Sequence, residues 1–177
     1  MITAGNFLLR PYTDADASSM SAAVRESSPS MQQWMPWAKS DFSDYDALCW
    51  FAACTAERVA GSAHDFGIFT LAGEYVGGCG VNQISPKNNL CNLGYWVSPL
   101  HRRRGAATAA TLALRDFAFT SLALTRIEIV VAADNAIGLA FARRVGATHE
   151  CLARNRIHLH GHPVDAHVFS FVPEGKA

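Results

Sequence analysis

No sign of charge prevails in this 177-residue chain, because fifteen basic and fifteen acidic side chains cancel. That balance argues against a global electrostatic attraction to nucleic acid or to an anionic membrane surface. Its five cysteines, Cys49, Cys54, Cys79, Cys91 and Cys151, are odd in number and contain no C-x-x-C pair. They fit reduced thiols better than a disulfide framework, and with no secretory signal at the start a cytoplasmic protein is expected. Charges interrupt the apolar stretches well short of a membrane span, so no transmembrane helix is expected. Internal repeats, linkers and low-complexity stretches are missing as well. Half of the residues are apolar, enough for a substantial core, and one domain over residues 1–177 is expected.

The most informative run is Gly94-Tyr95-Trp96-Val97-Ser98-Pro99-Leu100-His101-Arg102-Arg103-Arg104-Gly105-Ala106-Ala107-Thr108. An apolar strand passes into a helix through a basic turn that contains glycine. Where Gly105, Ala106 and Ala107 open a helix, their N–H groups have no intrahelical partner and the helix dipole adds partial positive charge. Such a turn suits a pyrophosphate, and small residues let it approach closely. The competing reading of Arg102, Arg103 and Arg104 is a solvated basic turn; the surrounding strand, turn and helix favour phosphate contacts.

The rest of the chain alternates helix and strand signals. Asn6 to Arg10 reads as a short first strand, and Thr13 caps a helix over Ala17 to Glu26. Ser27 to Lys39, with Pro29, Pro36 and the cluster Trp34-Met35-Pro36-Trp37, predicts a short helix and an irregular aromatic loop. Ser43 with Asp46 signals a second, longer helix ending near Gly61. Phe66 to Leu71, Tyr75 to Ile84 and Leu90 to Val97 then form an antiparallel meander. A helix from Gly105 to Leu122 and a strand from Arg126 to Ala132 imply a parallel β-α-β crossover. Asn135 to Val145 is a last helix stopped by Gly146, and Thr148 to Leu159 with Val164 to Val172 closes the chain as a hairpin around His160-Gly161.

The residues Arg102-Arg103-Arg104-Gly105-Ala106-Ala107 match the pyrophosphate signature of the GNAT superfamily of acyl-CoA-dependent N-acetyltransferases, and the chain resembles that superfamily over nearly its whole length. Leu8-Leu9-Arg10-Pro11, Trp34-Met35-Pro36-Trp37, Leu93-Gly94-Tyr95-Trp96-Val97, Asn135 with Gly146, and Gly161-His162-Pro163-Val164-Asp165 resemble the RimJ/RimL branch, which acetylates protein N-termini. The resemblance implies an α/β (α+β) fold with a mixed, mostly antiparallel central sheet of about seven strands flanked by helices. It implies acetyl-CoA as co-substrate and an amine as acceptor: a ribosomal or other protein N-terminus, or a small amine such as a polyamine, an amino acid analogue or an aminoglycoside. A homodimer is compatible with the branch, and the rival reading is a catalytically weak acyl-CoA-binding module.

By the same resemblance, Tyr95, Trp96 and Val97 present backbone groups to the pantetheine arm, Arg102 to Thr108 hold the pyrophosphate, and Asn135 contacts the pantetheine. The Val97 N–H is the candidate oxyanion donor, in a strand expected to splay from its neighbour. Departures from the family concern the proton-transfer groups. Ala142 stands where many members have a tyrosine acid, Gly138 where RimL-like members have a serine, Ala109 in place of a glutamate and Ala147 in place of an aromatic residue. No acid is assigned.

Several further residues have two readings each. Trp34 and Trp37 either anchor a loop in the core or wall the acceptor pocket. Asn82, in an otherwise apolar strand, either orients the substrate amine or makes a structural hydrogen bond. Cys79 beside it is a small core residue rather than a nucleophile. His64 is a base acting through water or an ordinary loop histidine. His158, His160 and His162 alternate around the hairpin, but no cysteine or carboxylate completes a zinc pattern and no metal is expected.

Overall fold

The computed structural model describes residues 1–173, so the last four positions of the expected domain lie outside the described residues. Eight strands form one sheet: β1 (Ile2–Ala4), β2 (Phe7–Arg10), β3 (His64–Thr70), β4 (Tyr75–Ser85), β5 (Leu90–Val97), β6 (Arg126–Ala132), β7 (Thr148–Leu159) and β8 (His162–Phe171). Their order is β1-β2-β3-β4-β5-β6-β8-β7, antiparallel throughout except for the β5–β6 pair. The strand beyond the expected seven is β1, which pairs with β2 across a turn at Gly5-Asn6; Gly5 takes φ +58, a conformation cheap for glycine.

Helices cover both faces. α1 (Ala17–Met31) and α2 (Asp44–Ala60) lie on one, α3 (Ala106–Thr120) and α4 (Ala136–Arg144) on the other. The α3 side is a continuous apolar core in which Ala106, Ala110, Leu114 and Ala118, spaced by one helical turn, meet Leu9, Ile68, Val81, Leu93 and Ile127. On the α1 side Met20, Val24, Ala47 and Phe51 pack on Phe69, Tyr75 and Trp96.

Local chemistry sets the helix ends. The Ser43 hydroxyl accepts from the Asp46 N–H at 3.2 Å, the Asp46 carboxylate accepts from the Ser43 N–H at 2.8 Å, and Gly61 terminates α2 at φ +71. α1 runs five residues past the expected Glu26 and contains Pro29. Proline there removes one hydrogen bond, to the Arg25 carbonyl, only a few residues from the helix end. The burial of Ser27, Ser28 and Met31 offsets that loss. Among the described residues no helix is long and apolar enough to cross a membrane.

Candidate active site

The site originates in one irregularity of the sheet. β5 and β6 are partners only at Leu90–Arg126, Cys91–Ile127 and Asn92–Glu128, and beyond those pairs they part. Backbone phase decides what the gap receives. The Ser98 N–H donates to the Val76 carbonyl at 2.9 Å, and the β4–β5 register continues as Val97–Gly77, Trp96–Gly78, Tyr95–Cys79 and Gly94–Gly80. In an antiparallel ladder hydrogen-bonded pairs alternate with non-bonded ones. Trp96 and Gly94 therefore bond to β4, whereas the N–H groups of Tyr95 and Val97, beyond the last β5–β6 pair, face the side from which β6 has departed.

A cavity of about 1000 Å³ fills this gap, with Leu93 to Val97 on one wall and Ile129 to Ala132 on the other. It extends to the turn before α3, where Arg103 (φ +62) and Gly105 (φ +84) reverse the chain. No side chain caps α3, which leaves the N–H groups of Ala106, Ala107 and Thr108 available to an anion. Two hydrogen bonds from neighbouring turns of α1 hold this segment. Ser98 Oγ donates to Glu26 at 3.2 Å, and the Arg102 guanidinium donates to Ser30 Oγ at 2.7 Å. The buried His101 completes the turn, with Nε2 3.5 Å from Glu74.

A second cavity of about 600 Å³ lies under α1 and α2 and shares Met35, Gly94, Tyr95 and Trp96 with the first. Its floor is paved with glycine. Gly78, Gly80 and Gly94 line it and share one face of the sheet by strand register, and the missing side chains admit larger ones from elsewhere. A Cβ on Gly78 would sit 2.8 Å from the Tyr12 hydroxyl and 2.7 Å from the Trp96 indole nitrogen; one on Gly80 would sit 2.1 Å from an Asp65 carboxylate oxygen. The walls are Tyr12, Trp37, Phe42, Trp50 and Trp96, with the carboxylates of Asp46 and Asp65. Burial, reinforced by the Glu57 charge, raises the Asp65 pKa to about 6 against partial relief from Arg58.

The structure sorts the sequence candidates. Tyr95, Trp96, Val97, Arg102, Arg103, Gly105, Ala106, Ala107, Thr108 and Asn135 all line the larger cavity. Arg104 does not; it is exposed beside the turn. The two tryptophans divide: Trp34 lines the larger cavity, and only Trp37 lines the smaller one, its ring edge-on to Trp96 at 6.1 Å. Asn82 lines the smaller cavity, and its Oδ1 accepts from the Asn92 amide at 3.0 Å, the structural hydrogen bond of its second reading. Asn135 caps α4, its Oδ1 accepting from the Gly138 N–H at 2.9 Å.

His64 is not at the site. Its ring meets Phe117 at 5.5 Å on the α3 face and lies 3.2 Å from an Arg58 nitrogen, and burial lowers its pKa. Period-two alternation turns its neighbour Asp65 to the cavity instead. In the sequence Asp65 shows only as an acid in an otherwise apolar strand, because its phase with the glycines of β4 and β5 is set by strand register. Ala142 is wholly buried in the α3-side core, where Phe141 rather than it lines the cavity. His160 approaches the Gln32 carbonyl at 3.1 Å, joining the β7–β8 tip to the end of α1. Among the described residues no three His, Cys, Asp or Glu side chains are grouped as metal ligands.

Comparison with known proteins identifies a family and a shared fold. Residues 6–148 match the family model described as an acetyltransferase (GNAT) domain. A solved structure from Vibrio cholerae, named as a "putative ribosomal-protein-serine acetyltransferase", is 33% identical over 97% of each chain with a TM-score of 0.84. RimJ of Mycobacterium smegmatis, solved with a CoA-disulfide, is 26% identical, with 98% of this chain and 85% of that chain covered and a TM-score of 0.87. The uncharacterized N-acetyltransferase p20 of Bacillus licheniformis is 32% identical over 63% of this chain and 64% of its own length. The chain thus spans less than two thirds of the length of the curated relatives it matches.

Proposed function

This chain belongs to the GNAT acetyltransferase family, and we propose that it moves an acetyl group directly from acetyl-CoA to a primary amine, with a protein N-terminal α-amine as the acceptor. One observation carries the reading: unpaired N–H groups of β5 face the β5–β6 gap at the point where two cavities meet. The residues present fit the co-substrate. Free amides at the α3 N-terminus with Arg102 and Arg103 suit a pyrophosphate, and a wall of Leu93, Ile129 and Val131 suits an extended apolar arm. Acetyl-CoA supplies a thioester-activated acetyl group.

The amine nitrogen, entering from the aromatic cavity, attacks the thioester carbonyl carbon. A C–N bond forms, the C–S bond breaks, the nitrogen loses a proton and the departing sulfur gains one. Negative charge on the carbonyl oxygen is met by the Val97 N–H, with the Tyr95 N–H next along the same edge. A thiol of ordinary pKa, ~8.5, leaves readily enough that the missing tyrosine acid need not be replaced. Ribosomal-protein acetylation is named for the Vibrio relative, and this supports a peptide acceptor. The aromatic walls and two carboxylates of the smaller cavity also suit a small cationic amine.

The test is mass-spectrometric acetyl transfer from acetyl-CoA to a panel of N-terminal peptides, a serine-headed one included, and of polyamines, amino acids and aminoglycosides. A peptide product supports the proposed acceptor. A product only among the small amines changes the acceptor class, and tight CoA binding with no product supports a binding module.

A further inference from the structure

Of all the ionisable groups along the two cavities, Asp65 combines three features that no role described so far uses. Its carboxylate occupies the space left by Gly80, directly across β4 from Gly94 at the β5 edge. The trough between them is free of side chains: Gly94 has none, and a Cβ there would find only the Asn82 amide, at 3.9 Å. One strand spacing, about 5 Å, separates Gly80 from Gly94, which is the reach of a direct contact or of a single water.

The carboxylate is also unpaired. Among the described residues no hydrogen-bond donor and no cation within 4 Å serves it; Arg58, the nearest guanidinium by sequence and packing, gives one nitrogen to the Asp65 backbone carbonyl and another to the His64 ring. Glu57 and the thiols Cys54 and Cys79 surround it without neutralising it, and burial keeps both thiols protonated, Cys54 with its pKa near 12. Lys39 and Asp46 stand elsewhere along the same cavity. A half-buried, unpaired carboxylate beside aromatic rings is costly unless a cation or a proton visits it.

We infer that Asp65 is the general base of the reaction, accepting the proton of the acceptor ammonium across the Gly80–Gly94 trough and passing it to solvent, so that the neutral amine meets the acetyl group. This inference rests on the transferase reading above. The proton balance is closed: one leaves the ammonium for the carboxylate, and a second leaves the nitrogen as the C–N bond forms, matched by the one gained at sulfur.

The experiment is the pH dependence, from pH 5 to 9, of acetyl transfer by wild type, Asp65→Asn and Asp65→Glu, using whichever panel amine the wild type acetylates, with CoA affinity measured calorimetrically. Expected are a wild-type kcat/KM that climbs through an ionisation near pH 6, a loss in Asp65→Asn of about 100-fold or more in kcat with that limb abolished, CoA affinity unchanged, and partial recovery with a displaced limb in Asp65→Glu. The acceptor's own ionisation, near ~8 for an α-amine, remains in every variant. An Asp65→Asn enzyme within threefold of wild type with the same profile overturns the inference, as does a change confined to acceptor KM. Should Asp65→Asn fail to fold, an unmoved limb in Asp65→Glu overturns it equally. Absence of transfer by the wild type to every amine overturns the transferase reading itself, an outcome distinct from the others.

Discussion

Replacing Val97 by proline removes a single proton donor from the place where the acetyl oxygen is expected, and the sheet register makes this a clean deletion. The Val97 N–H faces the β6 side, and the β4 side is served by Trp96 and by Ser98, whose N–H reaches the Val76 carbonyl at 2.9 Å. No ladder bond is lost, which is the situation in which strands tolerate proline. Trp96 is already extended, as a residue before proline must be. The structural cost is that of repacking a half-buried side chain and of moving φ from the extended-strand range to that of proline, about 1–3 kcal/mol. Removal of one preorganised oxyanion donor typically lowers kcat by ~100- to 1000-fold, or about 3–4 kcal/mol. The control is Val97→Ala, which loses the side chain and keeps the N–H. Turnover is best followed as acetylated product by mass spectrometry, since Cys49 and Cys151 are exposed and would react with thiol reagents. We expect Val97→Pro to fall at least 100-fold below Val97→Ala in kcat at similar KM for acetyl-CoA. A folded Val97→Pro within threefold of Val97→Ala would refute the oxyanion assignment.

Other perturbations separate the two cavities. Gly105→Asp should fold, because a Cβ there meets nothing within 4 Å and aspartate tolerates the positive φ at a cost of about 1 kcal/mol; its carboxylate should weaken CoA binding more than tenfold by calorimetry. Trp37→Ala should raise the acceptor KM with that of acetyl-CoA unchanged, and Trp34→Ala should do the reverse, as steady-state kinetics with both substrates varied would reveal. Asp65→Asn should stabilise the fold at high pH. The folded carboxyl titrates near 6 and the unfolded one near ~3.9, so the native state binds more protons between these values and stability falls across that window. Removing the charge should recover about 1–3 kcal/mol at pH 8 and nothing at pH 3.5, measured by chemical denaturation. Glu150 works in the opposite direction: Arg126 and then Ser170 hold its pKa down to about 2, so its contribution is present above the usual carboxylate range and lost as pH falls toward 2. Its exposure limits that contribution to under about 1 kcal/mol, visible as a shallower acid limb in Glu150→Gln.

Much of this site was legible because its signals are local. A strand ending in Ser98-Pro99, a basic turn with Gly105 and a run of small residues specify an uncapped helix start wherever they occur, and the structure puts nearly all of them on one cavity. Of the three arginines, Arg102 and Arg103 line that cavity and Arg104, which follows Arg103 at φ +62, does not; all three are exposed. Pro29 reads locally as a breaker, yet α1 continues to Met31 because the tertiary burial of Ser27, Ser28 and Met31 outweighs one lost hydrogen bond.

What the sequence hid is whatever depends on strand register. Asp65 and His64 are adjacent and both titratable, and only the pairing of Asp65 with Gly80 and of Gly80 with Gly94 determines which of them looks onto the smaller cavity. Each glycine of that row, seen alone, is a weak point in a strand. Aligned across β4 and β5 by a register fixed more than ten residues away, they become the volume that lets Tyr12, Trp96 and the Asp65 carboxylate converge on the sheet surface. Gly80→Ala is therefore the sharpest probe of this convergence. It alters no ionisable group, yet its methyl would sit 2.1 Å from the carboxylate oxygen and 3.0 Å from the Asp65 Cα. Overpacking of that kind costs about 1–3 kcal/mol. If the trough conveys the acceptor's proton, the variant should lose kcat with CoA affinity intact, and a Gly80→Ala protein with wild-type kcat would show that the row serves packing alone.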